Sequence, residues 1–381
     1  MEWPPPPHSL DAVDLTQDGV PDVLTPSMSI LPGRRDGTLG APEEFAAWGA
    51  DMVVDWNHDG LLDSPLGSSV LLNVAARPNA APVARIDSDF YTDSGPVHDI
   101  SYQEQFAGFS EDRPGLNVDG SSDGDLHALE FEWQDGDGET LGWGPYYTIG
   151  TPDPLLPGTY TLWLIAKDGR GGEGRASYDV TVTATQEIVL WPGTWGDQMH
   201  PGAWQSAEDA TAASGRRLWY PNANAPKVAA PSAAPTAYFE YYFTADPTQT
   251  YKLWIRGKAQ NDSPYNDSVW VQFSGSATVS GQPAYRIGTT SGLAVNLEEC
   301  SGCGLSGWGW EDDGWGAVNR NGVLLRFPQG GPQTLLLQIR EDGFSIDQIV
   351  LSSEKYLTTR PGSAKNDTTI LQETQHYTGW D

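Results

Sequence analysis

An all-β chain is what this sequence predicts, and three observations carry the prediction. No helical period is sustained anywhere along its 381 residues. Short apolar stretches alternate with period two, as in Leu129-Glu-Phe-Glu-Trp133, and Gly- and Asp-rich turns separate them. Glycine and proline (43 and 29 residues), with 16 Trp and 15 Tyr, give the composition of many short strands and tight turns. So many aromatic residues also argue against disorder.

Charge narrows the function classes. Lys and Arg number 21 against 51 Asp and Glu, a formal net charge of −30. A surface this acidic repels phosphate backbones, which excludes nucleic acid as a partner. No apolar run approaches the ~18 residues of a membrane helix, so membrane insertion is not expected. The first ten residues, MEWPPPPHSL, have neither the basic nor the apolar stretch of a signal peptide. The expectation is a fragment of a larger exported protein, extracellular or at the cell surface.

Residues 1–78 contain a repeat. Asp14-Leu-Thr16-Gln-Asp18-Gly-Val-Pro-Asp22 recurs 41 residues later as Asp55-Trp-Asn57-His-Asp59-Gly-Leu61-Leu-Asp63. Oxygen-bearing side chains at positions 1, 3, 5 and 9 of a turn, with Gly at 6, converge on one point. Like charges so close repel unless a hard cation sits between them, and calcium fits best. The Leu61 carbonyl would add a further ligand. The alternative is a pair of acidic turns without metal. The spacing resembles the FG-GAP/VCBS repeats of bacterial exported β-propellers, a resemblance that implies one calcium per loop. Thr16 departs from the usual acid or amide and weakens the first site. Two repeats cannot close a propeller.

A Pro/Ala linker, Arg77-Pro-Asn-Ala-Ala-Pro, places a boundary near residue 80. Residues 82–185 then read as a small β-sandwich. The turns Gln134-Asp-Gly-Asp-Gly138 and Lys167-Asp-Gly-Arg-Gly-Gly172 resemble those of PKD-type immunoglobulin-like domains, which implies a spacer. Asp123, Asp125, Asp135 and Asp137 either line a further calcium site or are solvated hairpin turns.

Residues 187–353 carry strand patterns at Tyr238–Ala245, Tyr251–Arg256, Ser268–Phe273, Val323–Phe327, Gln333–Arg340 and Ser345–Leu351. They predict a jelly-roll sandwich. Residues 354–381 read as a polar tail that either packs back along the sandwich or leads beyond it. The arrangement, and above all the last strand, resembles the galactose-binding-like carbohydrate-binding modules, the group with families 6 and 35. In such modules acids near the first strand and an Asp in the last meet at a metal. Glu208, Asp209 and Asp347 match by type; the alternative is two surface acids and one hydrogen-bonded Asp.

The densest aromatic stretch is Trp308-Gly-Trp310-Glu-Asp-Asp-Gly-Trp315. Glycines beside the indoles leave open ground, and Glu311, Asp312 and Asp313 are expected to reach water. At least one of the three Trp is therefore expected to present a sugar platform; the alternative is core packing. Trp219 and Tyr220 are a second candidate pair. Cys300 and Cys303, the only cysteines, are expected to form a local disulfide, which implies an oxidising compartment.

No catalytic motif survives inspection. Gly120-Ser-Ser-Asp-Gly124 has the letters of a nucleophile elbow without its strand and helix. Gly302-Cys-Gly-Leu-Ser-Gly307 has the letters of a dinucleotide loop without a βαβ unit. The expected function is non-catalytic: a calcium-stabilised, exported glycan-binding or adhesion protein, its partner a polysaccharide or cell-surface glycan. Two alternatives stand beside it. One is a structural subunit of an extracellular layer or filament built from copies of itself; the other is the ancillary part of a polysaccharide-degrading enzyme.

Overall fold

The computed structural model describes residues 11–13, 20–24, 29–44, 64–66, 69–71, 79–88, 91–92, 95–96, 99–106, 113–124, 127–185, 187–194, 204–313 and 323–375. Among the described residues strands predominate over helical turns. The helical turns described are 3-10 segments of three to five residues. The all-β expectation holds, and its cause is visible in the sequence: with this much Gly and Pro, no stretch among the described residues keeps the helical hydrogen-bond ladder running. The chain divides into two compact units. One comprises Met1–Asp87, Val118–Pro145 and Leu162–Tyr178, the other Ser88–Asn117, Tyr146–Thr161 and Asp179–Asp381.

In the first unit, Asp11–Val13, Asp22–Leu24, Ser29–Leu31 and Glu43–Glu44 form an antiparallel sheet in that order. Of the repeat ligands, Asp22 alone is described; it is fully buried and accepts a hydrogen bond from Gly33 N at 2.7 Å. Asp14, Thr16, Asp18, Asp55, Asn57, Asp59, Leu61 and Asp63 lie outside the described residues. Further along, Glu130–Gln134 pairs antiparallel with Thr140–Trp143 on one side and with residues 163–167 on the other. Between the paired strands, Asp135 Oδ1 accepts from the Asp137 and Glu139 amides, closing the hairpin as an Asx turn. Trp133 is fully buried, and its indole donates to Gly144 O at 3.0 Å.

The second unit centres on a two-sheet sandwich. Its first sheet runs Gln205–Glu208, Arg216–Trp219, Phe344–Ser352, Tyr251–Ala259, Leu324–Arg326, Ala277–Thr278. Glu187–Leu190 also pairs with Phe344–Ser352, and Gly309–Glu311 with Tyr251–Ala259. The second sheet runs Phe239–Ala245, Gly331–Ile339, Ser268–Phe273, Leu293–Asn296, all antiparallel. Alternation decides which faces meet. Phe239, Tyr241, Phe243 and Ala245 point inward, toward Leu253, Ile255, Ile346, Ile349 and Leu351 of the first sheet. Phe327 is the aromatic hub, 5.3 Å from the ring of Phe243, 5.6 Å from Phe273 and 5.7 Å from Tyr251.

The outer face of the first sheet is also buried. Phe344–Ser352 is buried at all nine positions, although every polar residue in it belongs to that outer face. Residues 354–375 lie over it. Gln348 donates to Thr369 O and accepts from Leu371 N, Trp254 Nε1 donates to Tyr356 O, and Trp191 Nε1 donates to Leu371 O. Val189, Trp254, Trp310 and Val350, with Trp191, Tyr356 and Leu371, form a second apolar cluster there. The polar tail thus packs back along the sandwich.

Candidate functional site

A cleft of about 470 Å³ opens where this tail crosses the first sheet. Thr211, Arg256, Lys258, Trp308, Asn366 and Ile370 line it. Register explains the grouping. Trp254, Arg256 and Lys258 alternate on the outer face of one strand, and Arg256 lies opposite Trp310 of the next. The tail then docks on residues 306–310 as a further edge: Asn366 N donates to Ser306 O, Asp367 N to Trp308 O, and Trp310 N to Ser363 O.

Electrostatics fix the floor. The Arg256 guanidinium is 1% exposed. Its Nε donates to Asp367 Oδ1 at 3.0 Å, one Nη to Asp367 O at 2.7 Å and the other to Asp347 Oδ2. Asp367 is further held by Trp310 Nε1, Ser363 N and the Thr369 amide and hydroxyl. A buried guanidinium between two carboxylates satisfies the rule that buried charges are paired and hydrogen-bonded. Burial pushes the Asp347 carboxyl up to about 7, against the pull of Arg256 and the Ala213 amide. Lys258 keeps a third of its side chain exposed at the rim, 3.6 Å from Asp209 and 5.6 Å from the Trp308 ring.

Trp308 and Trp310 are 3% and 0% exposed, so neither is an open platform. The Trp308 indole N–H donates to Thr211 Oγ1 at 2.8 Å, and the Arg256 guanidinium stacks over its ring at 5.1 Å. The glycines are spent on the tail and not on open ground. A Cβ at Gly309 would overlap the Ala364 carbonyl oxygen, and one at Gly307 would crowd Asn366. Trp315 lies outside the described residues. The acids also go the other way from expectation: Glu311, Asp312 and Asp313 are 2%, 8% and 9% exposed. Their burial is made tolerable by partners from distant segments. Lys252 Nζ is 3.0 Å from Asp312, and Arg360 from the tail reaches Glu311 at 3.4 Å while binding Glu299. Burial pushes Glu311 up to about 9, so it is protonated at neutral pH.

Trp219 is half-buried under the Arg217 guanidinium, 5.1 Å from its ring. Tyr220, also half-buried, meets Trp204 edge to face at 5.3 Å and packs on the core. Glu208, Asp209 and Asp347 do not bring three ligand atoms together. Glu208 is exposed; Asp209 accepts from the Thr211 amide and hydroxyl and faces Arg217 and Lys258; Asp347 accepts from Ala213 N and Arg256. Asp209 and Asp347 thus have cations and backbone amides as neighbours, and Glu208 does not join them in a ligand set. Cys300 and Cys303 are bonded across a tight turn with Cα atoms 5.2 Å apart.

Among the described residues, one group can hold a metal ion: Asp123, His127 and Asp168, all in the first unit. Of the three, the sequence pointed to Asp123, which it grouped with Asp125, Asp135 and Asp137. The fold ties it to Asp168, because residues 118–124 and the turn at 168–172 meet there. The sequence marks Asn366 only as the start of an Asn-x-Thr triplet, and nothing local marks Thr211, Lys258 and Asn366, from three segments, as neighbours.

No protein-family model matches the chain, and no curated protein matches it significantly. Solved structures give distant likenesses. One comes from work on the promiscuous specificity of carbohydrate-binding modules of the β-sandwich superfamily. It is 15% identical, covers 73% of this chain and 98% of that one, and has a TM-score of 0.21. Another is a family 35 carbohydrate-binding module from Clostridium thermocellum, 12% identical over 43% of this chain and 97% of that one, with a TM-score of 0.23. Scores this low say nothing of what this chain binds. No helix among the described residues is long and apolar enough to cross a membrane.

Proposed function

We propose that the chain is a non-catalytic, exported glycan-binding protein and that the cleft beside Trp308 takes the sugar. The cleft itself carries the reading. Its lining combines apolar Ala210, Ala212 and Ile370 and the edge of Trp308 with a Thr hydroxyl, an Asn amide and the Lys258 ammonium, a third of whose side chain is exposed. An apolar surface with a few convergent polar groups is the general form of a small-ligand site. Here the Trp308 indole is closed off under Arg256, so the polar rim is what would recognise the sugar. The resemblance to galactose-binding-like modules supports the same reading. Calcium belongs to the proposal through the two aspartate loops of residues 14–22 and 55–63, whose acids would otherwise repel one another.

The test is affinity electrophoresis of the full chain through gels carrying neutral or acidic polysaccharides. At least one polysaccharide should retard the wild type. With circular dichroism unchanged, Lys258→Ala should weaken that retardation about 10-fold, since a hydrogen bond to a charged group contributes roughly 1.5–3 kcal/mol, and Asn366→Ala about 2–10-fold, since a neutral one contributes roughly 0.5–1.5 kcal/mol. Retardation by no polysaccharide, or equal retardation of both variants, removes the cleft from consideration. Calcium is tested separately: millimolar Ca²⁺ should raise the melting temperature over EDTA, by about 2.7 kcal/mol of stabilisation at one hundred times Kd.

A further inference from the structure

We infer that Asp123, His127 and Asp168 form a site for one divalent first-row transition-metal ion, zinc(II) in preference to calcium. One ligand atom from each residue can be chosen so that all lie within 4.8 Å of one another, a span that a single ion bridges. Zinc takes imidazole nitrogen and carboxylate oxygen at roughly 2.0–2.2 Å.

The surroundings are built around this arrangement. Asp168 is 4% exposed and its carboxylate is held from three directions. Oδ1 accepts from Arg170 N at 2.7 Å and Gly172 N at 2.9 Å, and Oδ2 accepts from Asn79 Nδ2 at 2.6 Å. A Cβ at Gly172 would overlap Asp168 Oδ2 and press on Asn79, so only glycine there lets the carboxylate sit as it does. Asp123, 1% exposed in its side chain, faces the same point, and its Oδ1 accepts from His127 N at 3.3 Å. His127 Nδ1 lies 3.6 Å from that oxygen, beyond hydrogen-bond length, and this nitrogen is buried with no hydrogen-bond partner. The buried Nδ1 thus stands beside the buried Asp123 carboxylate, and an Asp168 oxygen is near enough for one ion to be shared by all three residues.

Charge and donor chemistry choose the ion. Two carboxylates and a neutral imidazole sum to −2, which a divalent ion cancels; buried charges are otherwise costly. Calcium takes six to eight oxygens, whereas an imidazole donor favours zinc and its neighbours. Thiolate ligands do not enter, because both cysteines of the chain are disulfide-bonded. His127 keeps 23% of its side chain exposed, so water can fill the remaining coordination position. Asn79 acts one step out, orienting a ligand rather than binding the ion.

The experiment uses the full chain, stripped with chelator and titrated with Co²⁺ as a spectroscopic stand-in for zinc. One equivalent should give visible ligand-field bands of a nitrogen-ligated, low-coordinate ion, removed by Zn²⁺ and resistant to excess Ca²⁺. His127→Ala should abolish the bands. Asn79→Ala, which removes no ligand, should weaken Co²⁺ binding about 10–100-fold, and serves if the histidine variant fails to fold. Bands unchanged in both variants would place the ion elsewhere. A spectrum of fully hydrated cobalt, or displacement by equimolar Ca²⁺, would leave Asp123 and His127 as a metal-free ion pair and overturn the assignment.

Discussion

The two faces of the first sheet of the sandwich are both buried, yet they are built from opposite materials. The inner face is apolar, with Leu253, Ile255, Ile346, Ile349 and Leu351 meeting the second sheet around Phe327. The outer face carries Lys252, Arg256, Asp347, Gln348 and Ser352, at 3% exposure or less, beside Trp254 and Trp310. The first is held by area removed from water, which any apolar residue of similar volume supplies. The second is held by pairing, in which each polar group needs its particular partner. Asp367 alone receives bonds from Arg256, Trp310, Ser363 and Thr369. Stability that depends on pairing is lost abruptly when one member goes, and stability that depends on area is lost in proportion.

The largest effects should expose that difference. Phe327→Ala, in the apolar face, should cost roughly 3–5 kcal/mol. Arg256→Leu, on the polar face, should cost a similar ~3–5 kcal/mol by stranding two buried carboxylates. The two should part company with pH. The loss in Arg256→Leu should shrink at acidic pH, where Asp347, which burial pushes up to about 7, takes a proton, and the loss in Phe327→Ala should not. Urea unfolding at pH 5 and pH 8 measures both. Equal pH dependence would mean that the outer layer is also held chiefly by area.

The same contrast explains what the sequence disclosed. Period-two alternation marked the strands of the apolar face closely: Tyr238–Ala245 is found as Phe239–Ala245, and Ser268–Phe273 is unchanged. Tyr251–Arg256 runs on to Ala259. That extension carries Lys258, whose polarity hid it from a search for apolar runs. The outer face was misread because its partners are remote in the chain. Asp367 meets Arg256 across 111 residues and Lys252 meets Asp312 across 60. Trp308-Gly-Trp310 has the composition of an exposed platform, and only the docking of residues 363–367 shows why glycine stands between the indoles. The Asp123–His127–Asp168 group was equally hidden, since no local spacing links a residue to another 41 positions on.

Gly309→Ala sharpens the point at smaller scale. The added methyl must displace the Ala364 carbonyl, so the tail should lift from the edge it pairs with. A cost of about 1–3 kcal/mol is expected, as for other overpacked sites, with faster proteolysis confined to residues 354–375. Loss of stability without loosening of the tail would mean that the strand Gly309–Glu311 shifts instead.

Acid–base behaviour should also divide by region, with an effect of a few degrees in melting temperature. In the second unit, burial pushes Glu311 up to about 9, and burial with the neighbouring Glu341 pushes Asp267 up to about 8. Both hold a proton in the folded state that the unfolded chain has lost above the ordinary carboxylate range. Stability should therefore rise as pH falls from 9 toward 5. In the first unit, Glu132 is drawn down to about 2 by hydrogen bonds from Lys167, Thr140 and Gln134. Its contribution is present above the ordinary glutamate value and is lost as pH falls from about 4.5 toward 2. Calorimetry across pH 3–9 should show the second unit melting highest near pH 5. A melting temperature that climbs steadily to pH 9 would contradict the protonated state of Glu311.

Reducing the Cys300–Cys303 bond should have the smallest global effect, about 1 kcal/mol or less, because the chain-entropy contribution of a crosslink shrinks with the loop it closes. The turn is already shaped by other means. Cys303 N donates to Cys300 O at 3.0 Å, Gly304 N donates to Glu298 Oε1 at 3.2 Å, and Gly302 and Gly304 take the positive φ angles that the reversal requires. Local effects should be larger than the global one. Lys365 Nζ donates to Cys303 O, and Arg360 binds Glu299 immediately before Cys300, so the tail is tethered at two points to this turn. Hydrogen exchange after mild reduction should therefore rise in residues 358–368 while the apolar core between the sheets stays protected. Uniform loss of protection would show that the turn supports the whole sandwich, and that the polar layer and the apolar core do not loosen independently.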